Sequence, residues 1–144
     1  MPDLTLNIEV ELNPTEDLEK VKDTIKNIFA PSSIELVVQN KKHMLIAKMQ
    51  GQDGLVKFYT LVRQENIVGA SRKVLMRGLS TDLLTFFLNK QAAYVNRISF
   101  CEPVGESPLG PIRIEIKTHD PKALINWLAP RSSLMRETGI KTIT

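Results

Sequence analysis

The 144-residue sequence is poor in metal ligands and thiols: it has one cysteine, Cys101, and two histidines, His43 and His119. A single cysteine excludes an intrachain disulfide. The alternating apolar run around Cys101 predicts a reduced, buried thiol, which is typical of cytosolic proteins. Metal sites need clustered ligands at short spacing, and these three residues are predicted in separate elements. We therefore expect no metal and no other cofactor.

Long hydrophobic runs and nucleotide-binding motifs are also missing. No apolar run approaches the roughly 20 residues that span a bilayer, and no basic and then apolar leader follows the first methionine. The sequence has neither a Walker phosphate loop nor a GxGxxG motif, and it lacks the Gly-x-Ser-x-Gly nucleophile elbow. These absences predict a soluble, cytoplasmic protein that is not an enzyme.

Charge is unevenly distributed, although the net charge is only +3. Residues 1–40 carry three lysines against eight acidic residues, whereas residues 41–80 carry eight basic residues against two acidic ones. Such asymmetry can concentrate positive potential on one face and attract a polyanion. An ordinary solvated surface fits the same distribution, so charge alone does not identify a partner.

Hydrophobic periodicity predicts alternating strands and helices. Alternation from Leu4 to Leu12 indicates a strand with one buried face. Asn13, Pro14 and Glu16 predict a helix start, with Asn13 as the cap and Glu16 reaching back to it as in a capping box. Helical spacing then indicates a first helix, which ends at Pro31. Residues 81–95 fit a helix or a strand, and their adjacent phenylalanines favour a strand at 83–89 followed by an irregular or helical turn. The other predicted strands lie at 34–38, 43–49, 97–101 and 112–118, and the other helices at 53–66, 70–77 and 121–128.

The resulting element order is β-α-β-β-α-α-β-β-β-α over one domain, residues 1–130. Helices alternate with hairpins rather than with single strands, which favours an α+β fold with a mostly antiparallel sheet and helices packed on one face. Residues 131–144 lack an apolar period and are predicted to form a basic, flexible tail. The Ser-Pro-Leu-Gly-Pro stretch at 107–111 predicts a rigid corner before the last strand.

A group of basic residues carries the functional prediction. The third predicted helix holds Arg72, Lys73 and Arg77, and the last two lie one turn apart on the same face. Lys57 and Arg63 come from the preceding helix. Phosphate binding needs such donors, and each contact adds affinity that falls with salt. The alternative interpretation is a solvated basic face without a ligand.

Four further segments stand out in order along the chain: SRKVLMRGL (71–79), NKQAAYV (89–95), ESPLGPI (106–112) and NWLAP (126–130). Together they resemble a small archaeal family of uncharacterised proteins with a predicted RNA-binding-domain label. The resemblance covers residues 3–130 and implies a fold similar to that of the large-subunit ribosomal protein that binds 5S rRNA. It implies no catalytic residues. The motif positions suited to RNA chemistry are Arg72, Lys73, Arg77, Lys90 and Gln91.

The sequence therefore predicts a non-enzymatic domain that grips RNA phosphates through the basic helix. Lys90, Gln91 and Tyr94 are candidates for base contacts or stacking, although Tyr94 could instead face inward. Trp127 lies on the apolar stripe of the last helix and is predicted to be part of the core. The alternative function is a protein-interaction or assembly module, a homodimer paired through an exposed sheet edge.

Overall fold

The computed structural model describes residues 4–102 and 110–131. Within these ranges, five strands form one antiparallel sheet: β1 (Thr5–Leu12), β2 (Ser33–Gln39), β3 (Lys42–Gln50), β4 (Leu83–Asn89) and β5 (Pro111–Lys117). Their order across the sheet is β2-β3-β1-β5-β4. In the described residues five α-helices accompany them: α1 (Leu18–Ile28), α2 (Val56–Gln64), α3 (Val68–Arg77), α4 (Lys90–Tyr94) and α5 (Pro121–Leu128). The predicted α+β class is confirmed.

The core lies between the helices and one face of the sheet. Ile8 of β1 lies opposite Ala47 of β3 and Ile114 of β5, and all three are fully buried. Phe58 of α2 packs onto this face, with its ring centroid 5.5 Å from that of Phe86 on β4. Each large apolar side chain buried in this way contributes about 1.5–3 kcal/mol. Strand alternation therefore decides which face of the sheet the helices cover.

The stretch that periodicity left ambiguous resolves as predicted. Residues 83–89 form β4 and residues 90–94 form the short helix α4. The Asn89 side chain caps α4 by accepting a hydrogen bond from the Ala92 backbone N–H at 2.9 Å. This cap lets the chain turn directly from strand to helix.

The first helix begins later than predicted. Asn13 does not cap it; instead, Glu16 donates its backbone N–H to the Asn13 carbonyl at 2.9 Å, which forms a separate turn. α1 then starts at Leu18, and the Asp17 side chain caps it by accepting from the Glu19 N–H at 3.0 Å. The Asn13 backbone N–H does donate to the Glu16 carboxylate, as in a capping box, but this bond closes the turn rather than the start of α1.

The segment predicted as a strand at 97–101 forms only one bridge, from Phe100 to Leu88. The Ile98 N–H donates to the Glu65 carboxylate at 3.0 Å, which diverts the segment from regular pairing. Because this segment follows the outer edge of β4, Cys101 is half-buried rather than buried.

Two sequence predictions fall largely outside the described residues. The corner at 107–111 is described only from Gly110, whose φ of 86° is in the region that favours glycine. The tail at 131–144 is described only at its first residue. Within the described ranges, no helix has the length and apolar character to cross a membrane.

Candidate nucleic-acid interface

The sheet face opposite the helices carries a balanced set of charges in the described strands. The pairing registers place four acidic and four basic residues there. They are Glu9, Glu11, Glu35 and Glu115 against Lys42, Lys48, Arg113 and Lys117. Arg113 donates to Glu115 at 2.7 Å and lies 3.9 Å from Glu9. A balanced face with internal ion pairs offers little net attraction to a polyanion.

The helical layer is different, because α2, α3 and α5 contain no acidic residue. Positive charge is therefore concentrated on these three helices, whereas α1 carries Glu19 and Asp23 beside its lysines. The basic residues of these three helices are Lys57, Arg63, Arg72, Lys73, Arg77 and Lys122. Their side chains have different surroundings, which separate structural cations from cations available to a ligand.

Arg63 is held inside the helical layer. Its guanidinium donates to the backbone carbonyls of Trp127 at 3.2 Å and Leu128 at 3.0 Å. It also lies 3.5 Å above the Tyr59 ring, which stacks on Trp127 with centroids 4.6 Å apart. Arg63 thus satisfies carbonyl groups at the end of α5 that the helix leaves unpaired. Trp127 packs against the core, as predicted.

Arg72 reaches the same end of α5. Its Nη1 donates to the Asn126 side-chain oxygen at 2.8 Å and to the Ala129 carbonyl at 3.0 Å. Two of the sequence segments, 71–79 and 126–130, therefore meet in space. The hydrogen bond between Arg72 and Asn126 holds α5 against α3. These two residues therefore have a role in folding that needs no ligand.

Lys90 is buried, with 3% of its surface exposed. Its Nζ donates to the Glu11 carbonyl at 2.7 Å and to both Glu16 carboxylate oxygens, at 3.0 and 3.3 Å. Burial alone would raise the pKa of Glu16, but hydrogen bonds from Asn13 and Lys90 hold the pKa below its ordinary value. Glu16 is therefore ionised at neutral pH, and its contact with Lys90 ties α4 to the turn before α1.

The alanines of the 89–95 segment also have a packing role. Ala93 is fully buried, and the Asn27 side chain of α1 donates to the carbonyls of Ala93 and Tyr94, each at 3.1 Å. The small side chain allows α1 to approach α4 closely. Gln91 and Tyr94 face outward, and Tyr94 is 49% exposed. The inward alternative for Tyr94 is wrong.

A cavity of about 310 Å³ opens between the start of α1 and α4. Its lining includes Thr15, Lys20, Gln91 and Tyr94, with the Lys90–Glu16 pair beneath them. The cavity combines a half-exposed aromatic ring, an exposed amide and an exposed ammonium group. Such groups can stack on a base, hydrogen-bond its edge and contact a phosphate.

Lys73 and Arg77 are exposed on α3, while Leu75 anchors the helix in the core. Gly78 fixes the end of α3, since a Cβ atom there would collide with the Thr85 carbonyl oxygen of β4. The Thr85 N–H also donates to the Gly78 carbonyl at 3.1 Å. The two cations are therefore displayed on a firmly positioned helix.

Lys57 belongs to a second group of cations. Its Nζ donates to the Lys26 carbonyl at 2.8 Å, which places it at the end of α1. Lys22 and Lys26 line a cavity of about 340 Å³ together with Ser32 and Ser33. The sequence prediction missed both α1 lysines because the first 40 residues are acidic in sum. Their spacing of four residues could have revealed them.

The seven predicted residues therefore do not form one cluster. Arg63 and Arg72 converge on the end of α5, and Lys90 and Gln91 lie at α4. Lys57 contacts the end of α1, whereas Lys73 and Arg77 are exposed on α3.

Comparison with known proteins identifies the family. A family model described as RNA binding matches residues 5–118. UPF0201 proteins from Metallosphaera sedula and Sulfurisphaera tokodaii are 41% and 42% identical over 126 residues, which is 88% of this chain and 87% of each relative. The chain belongs to the UPF0201 family. The resemblance predicted from the four sequence segments is confirmed.

A solved structure supports the same assignment. The crystal structure of a UPF0201 protein from Methanococcus jannaschii matches with a TM-score of 0.78 and 31% sequence identity. The match covers 88% of this chain and 99% of the other. The described fold is therefore that of the UPF0201 family across nearly the whole length of its relative.

Proposed function

We propose that this protein is a non-enzymatic RNA-binding domain that grips phosphates through its helical layer. The observation that supports this most is the pair of exposed cations, Lys73 and Arg77, on the acid-free helix α3. Their spacing of one turn directs both toward the same side. The family model described as RNA binding adds support, since its match at residues 5–118 includes this helix.

The structural cations have a supporting role in this proposal. Arg63 and Arg72 use donors on the carbonyls at the end of α5, and Lys90 is enclosed with Glu16. Groups held in this way cannot turn toward a phosphate without leaving buried acceptors unpaired. We therefore assign them to positioning the helices rather than to RNA contact.

The phosphate-binding surface extends from α3 to α2 and α1 in this proposal. Lys57 connects α2 to α1, because its ammonium group lies against the end of α1. Lys26, and Lys22 with its Nζ 3.6 Å from the Glu19 carboxylate, then extend this surface along α1. In the cavity beside them the Ser33 hydroxyl is a donor that suits a phosphate oxygen, whereas the Ser32 hydroxyl donates to the Lys48 carbonyl at 2.9 Å.

The α1–α4 cavity is the proposed place for an unpaired base. The Tyr94 ring can stack on it, and the Gln91 amide can donate and accept hydrogen bonds at its edge. Stacking needs a base that is not already paired within a duplex. The preferred ligand in this proposal is therefore single-stranded or looped RNA.

Two variants with equal loss of charge test the proposal. Lys73→Ala/Arg77→Ala removes two cations from the helical layer. Lys48→Ala/Lys117→Ala removes two exposed cations from the opposite sheet face. Affinity for a labelled single-stranded RNA, measured by fluorescence anisotropy at low salt, should fall by about one order of magnitude in the first variant only. Equal losses in both variants, or no binding by the unmodified protein, would refute the helical-layer interface.

A further inference from the structure

The two edges of the sheet differ in how they are covered. The outer edge of β4 is covered by two chain segments, one that precedes β4 in the sequence and one that follows it. Residues 78–80 and 99–101 supply these contacts through backbone hydrogen bonds and isolated bridges. The bonds join Thr85 N–H to the Gly78 carbonyl, Asn89 N–H to the Ser99 carbonyl and Cys101 N–H to the Phe87 carbonyl, at 3.1, 2.7 and 3.0 Å. On β4 these bonds use the N–H groups of Thr85 and Asn89 and the carbonyl of Phe87, so another strand cannot pair regularly along this edge.

The opposite edge, β2, has a strand neighbour only on the β3 side in the described part of the chain. Its sequence, SIELVVQ, contains no lysine, arginine, proline or glycine, and its only charge is Glu35. Leu36 is 46% exposed and Val38 is 66% exposed. Proteins usually protect an edge strand with charges, proline or a covering segment, because an open edge pairs readily with another strand.

The exposed side chains continue the core rather than interrupt it. Leu36 lies opposite Leu45 of β3, and Ile34 lies opposite Ala47. Both partners on β3 are fully buried, so the apolar rows that cross the sheet run out to β2 and end there in solvent. An additional strand at this edge would extend the same rows and cover their ends.

We propose that this strand is β2 of a second copy of the chain, paired antiparallel about a two-fold axis at Leu36. Directly opposite residues of an antiparallel pair share a face of the sheet. The axis must therefore place one residue of β2 directly opposite the same residue of the second copy. An axis at Glu35 would oppose two carboxylates, which is destabilising. An axis at Leu36 opposes Leu36 to itself and Ile34 to Val38, so every apolar residue on the core face has an apolar partner.

The apolar row of the strand is thus its own complement and no two charges are opposed, which is why a second copy is the occupant. The symmetry is the closed, self-complementary kind that most soluble homodimers use. Both helical layers then lie on the same side of one continuous sheet. Two basic surfaces could bind one RNA together, and the pairing also involves Ser33, the first residue of β2, which lines the proposed phosphate cavity.

Sedimentation equilibrium tests the pairing directly. The unmodified protein should have twice the 16.2 kDa mass of the chain, also at high salt. Leu36→Lys places two ammonium groups opposite each other and should raise the dissociation constant about tenfold or more. Val95→Lys, which changes an exposed apolar residue at the end of α4, should not. A monomeric unmodified protein, or equal dissociation of both folded variants, would overturn the proposal.

Disulfide formation tests the register. In a Cys101→Ser background, Leu36→Cys should cross-link two copies under mild oxidation, because opposite Cβ atoms lie about 4.5–5.5 Å apart. Val38→Cys should not, since the two positions would be separated by four residues, roughly 14 Å along the strands. Cross-linking at 38 without cross-linking at 36 would contradict the axis at Leu36. Both measurements use protein without RNA, so their failure is separate from failure of RNA binding.

Discussion

Replacing Lys90 with methionine should strongly destabilise the protein, because the ammonium group holds two segments together. It links the Glu11 carbonyl and the Glu16 carboxylate to α4. Methionine has a similar length but no donor. The variant would leave a carboxylate with only 12% of its side chain exposed and without its cationic partner. Removing one member of a buried pair typically costs about 3–5 kcal/mol, a large part of a typical domain's stability of about 5–15 kcal/mol.

The loss should depend on pH through Glu16. The folded pKa of Glu16 lies below its ordinary value of 4.5. Its ionised form therefore contributes stability that is fully present above pH 4.5 and is lost as pH falls through the folded pKa. In Lys90→Met, the pKa of Glu16 would be higher than in the unmodified protein, because the lowering effect of Lys90 is lost while burial remains, so the carboxyl group would protonate at a higher pH. The difference between variant and unmodified protein should shrink toward pH 4.

Urea unfolding at pH 7 and near pH 4 measures both effects. Lys20→Met is the matched control, since Lys20 is exposed on α1, and it should change the free energy of unfolding by no more than about 0.5 kcal/mol. Lys90→Met/Glu16→Met should be less destabilised than the sum of the single variants, because no buried charge remains. A loss below about 1 kcal/mol for Lys90→Met at pH 7, or an equal loss at both pH values, would refute this role of the pair.

Two other substitutions separate folding from binding. Gly78→Ala should lower the free energy of unfolding by about 2 kcal/mol or more, because the new methyl group meets the Thr85 carbonyl. The control Gly69→Ala, in open space on the same helix, should be neutral or slightly stabilising in thermal unfolding. Equal effects of the two substitutions on stability would contradict the close contact of Gly78 with Thr85. Tyr94→Ala should leave stability nearly unchanged and weaken single-stranded RNA binding by about 1–3 kcal/mol. Unaltered affinity in calorimetric titration would exclude stacking at Tyr94.

Local sequence patterns predicted most of the fold because they report local physics. Alternation in β1 records which side chains face the helices. Adjacent phenylalanines correctly favoured a strand at β4. The predicted start of α1 was wrong because Asn13 and Glu16 hydrogen-bond to each other within a separate turn. The sequence pattern of asparagine followed three residues later by glutamate is the same for such a turn and for the start of a helix.

The roles of the basic residues could not be predicted in the same way. Lys90 meets a carbonyl 79 positions earlier in the chain, and Arg72 meets an acceptor 54 positions later. Nothing in the surrounding sequence marks a cation that is destined for such a partner. Lys73 and Arg77 stay exposed because their helix turns that side away from the core, and this could be read from helical spacing.

The salt dependence of RNA affinity tests the helical-layer interface most directly. The logarithm of the binding constant falls with the logarithm of salt concentration, and each phosphate contact with single-stranded RNA contributes about 0.7 to the slope. Lys73→Ala/Arg77→Ala should therefore give a slope shallower by about 1.4 than the unmodified protein, whereas Lys48→Ala/Lys117→Ala should keep it. No measurable binding at low salt, or an unchanged slope in the α3 variant, would contradict RNA binding through the helical layer.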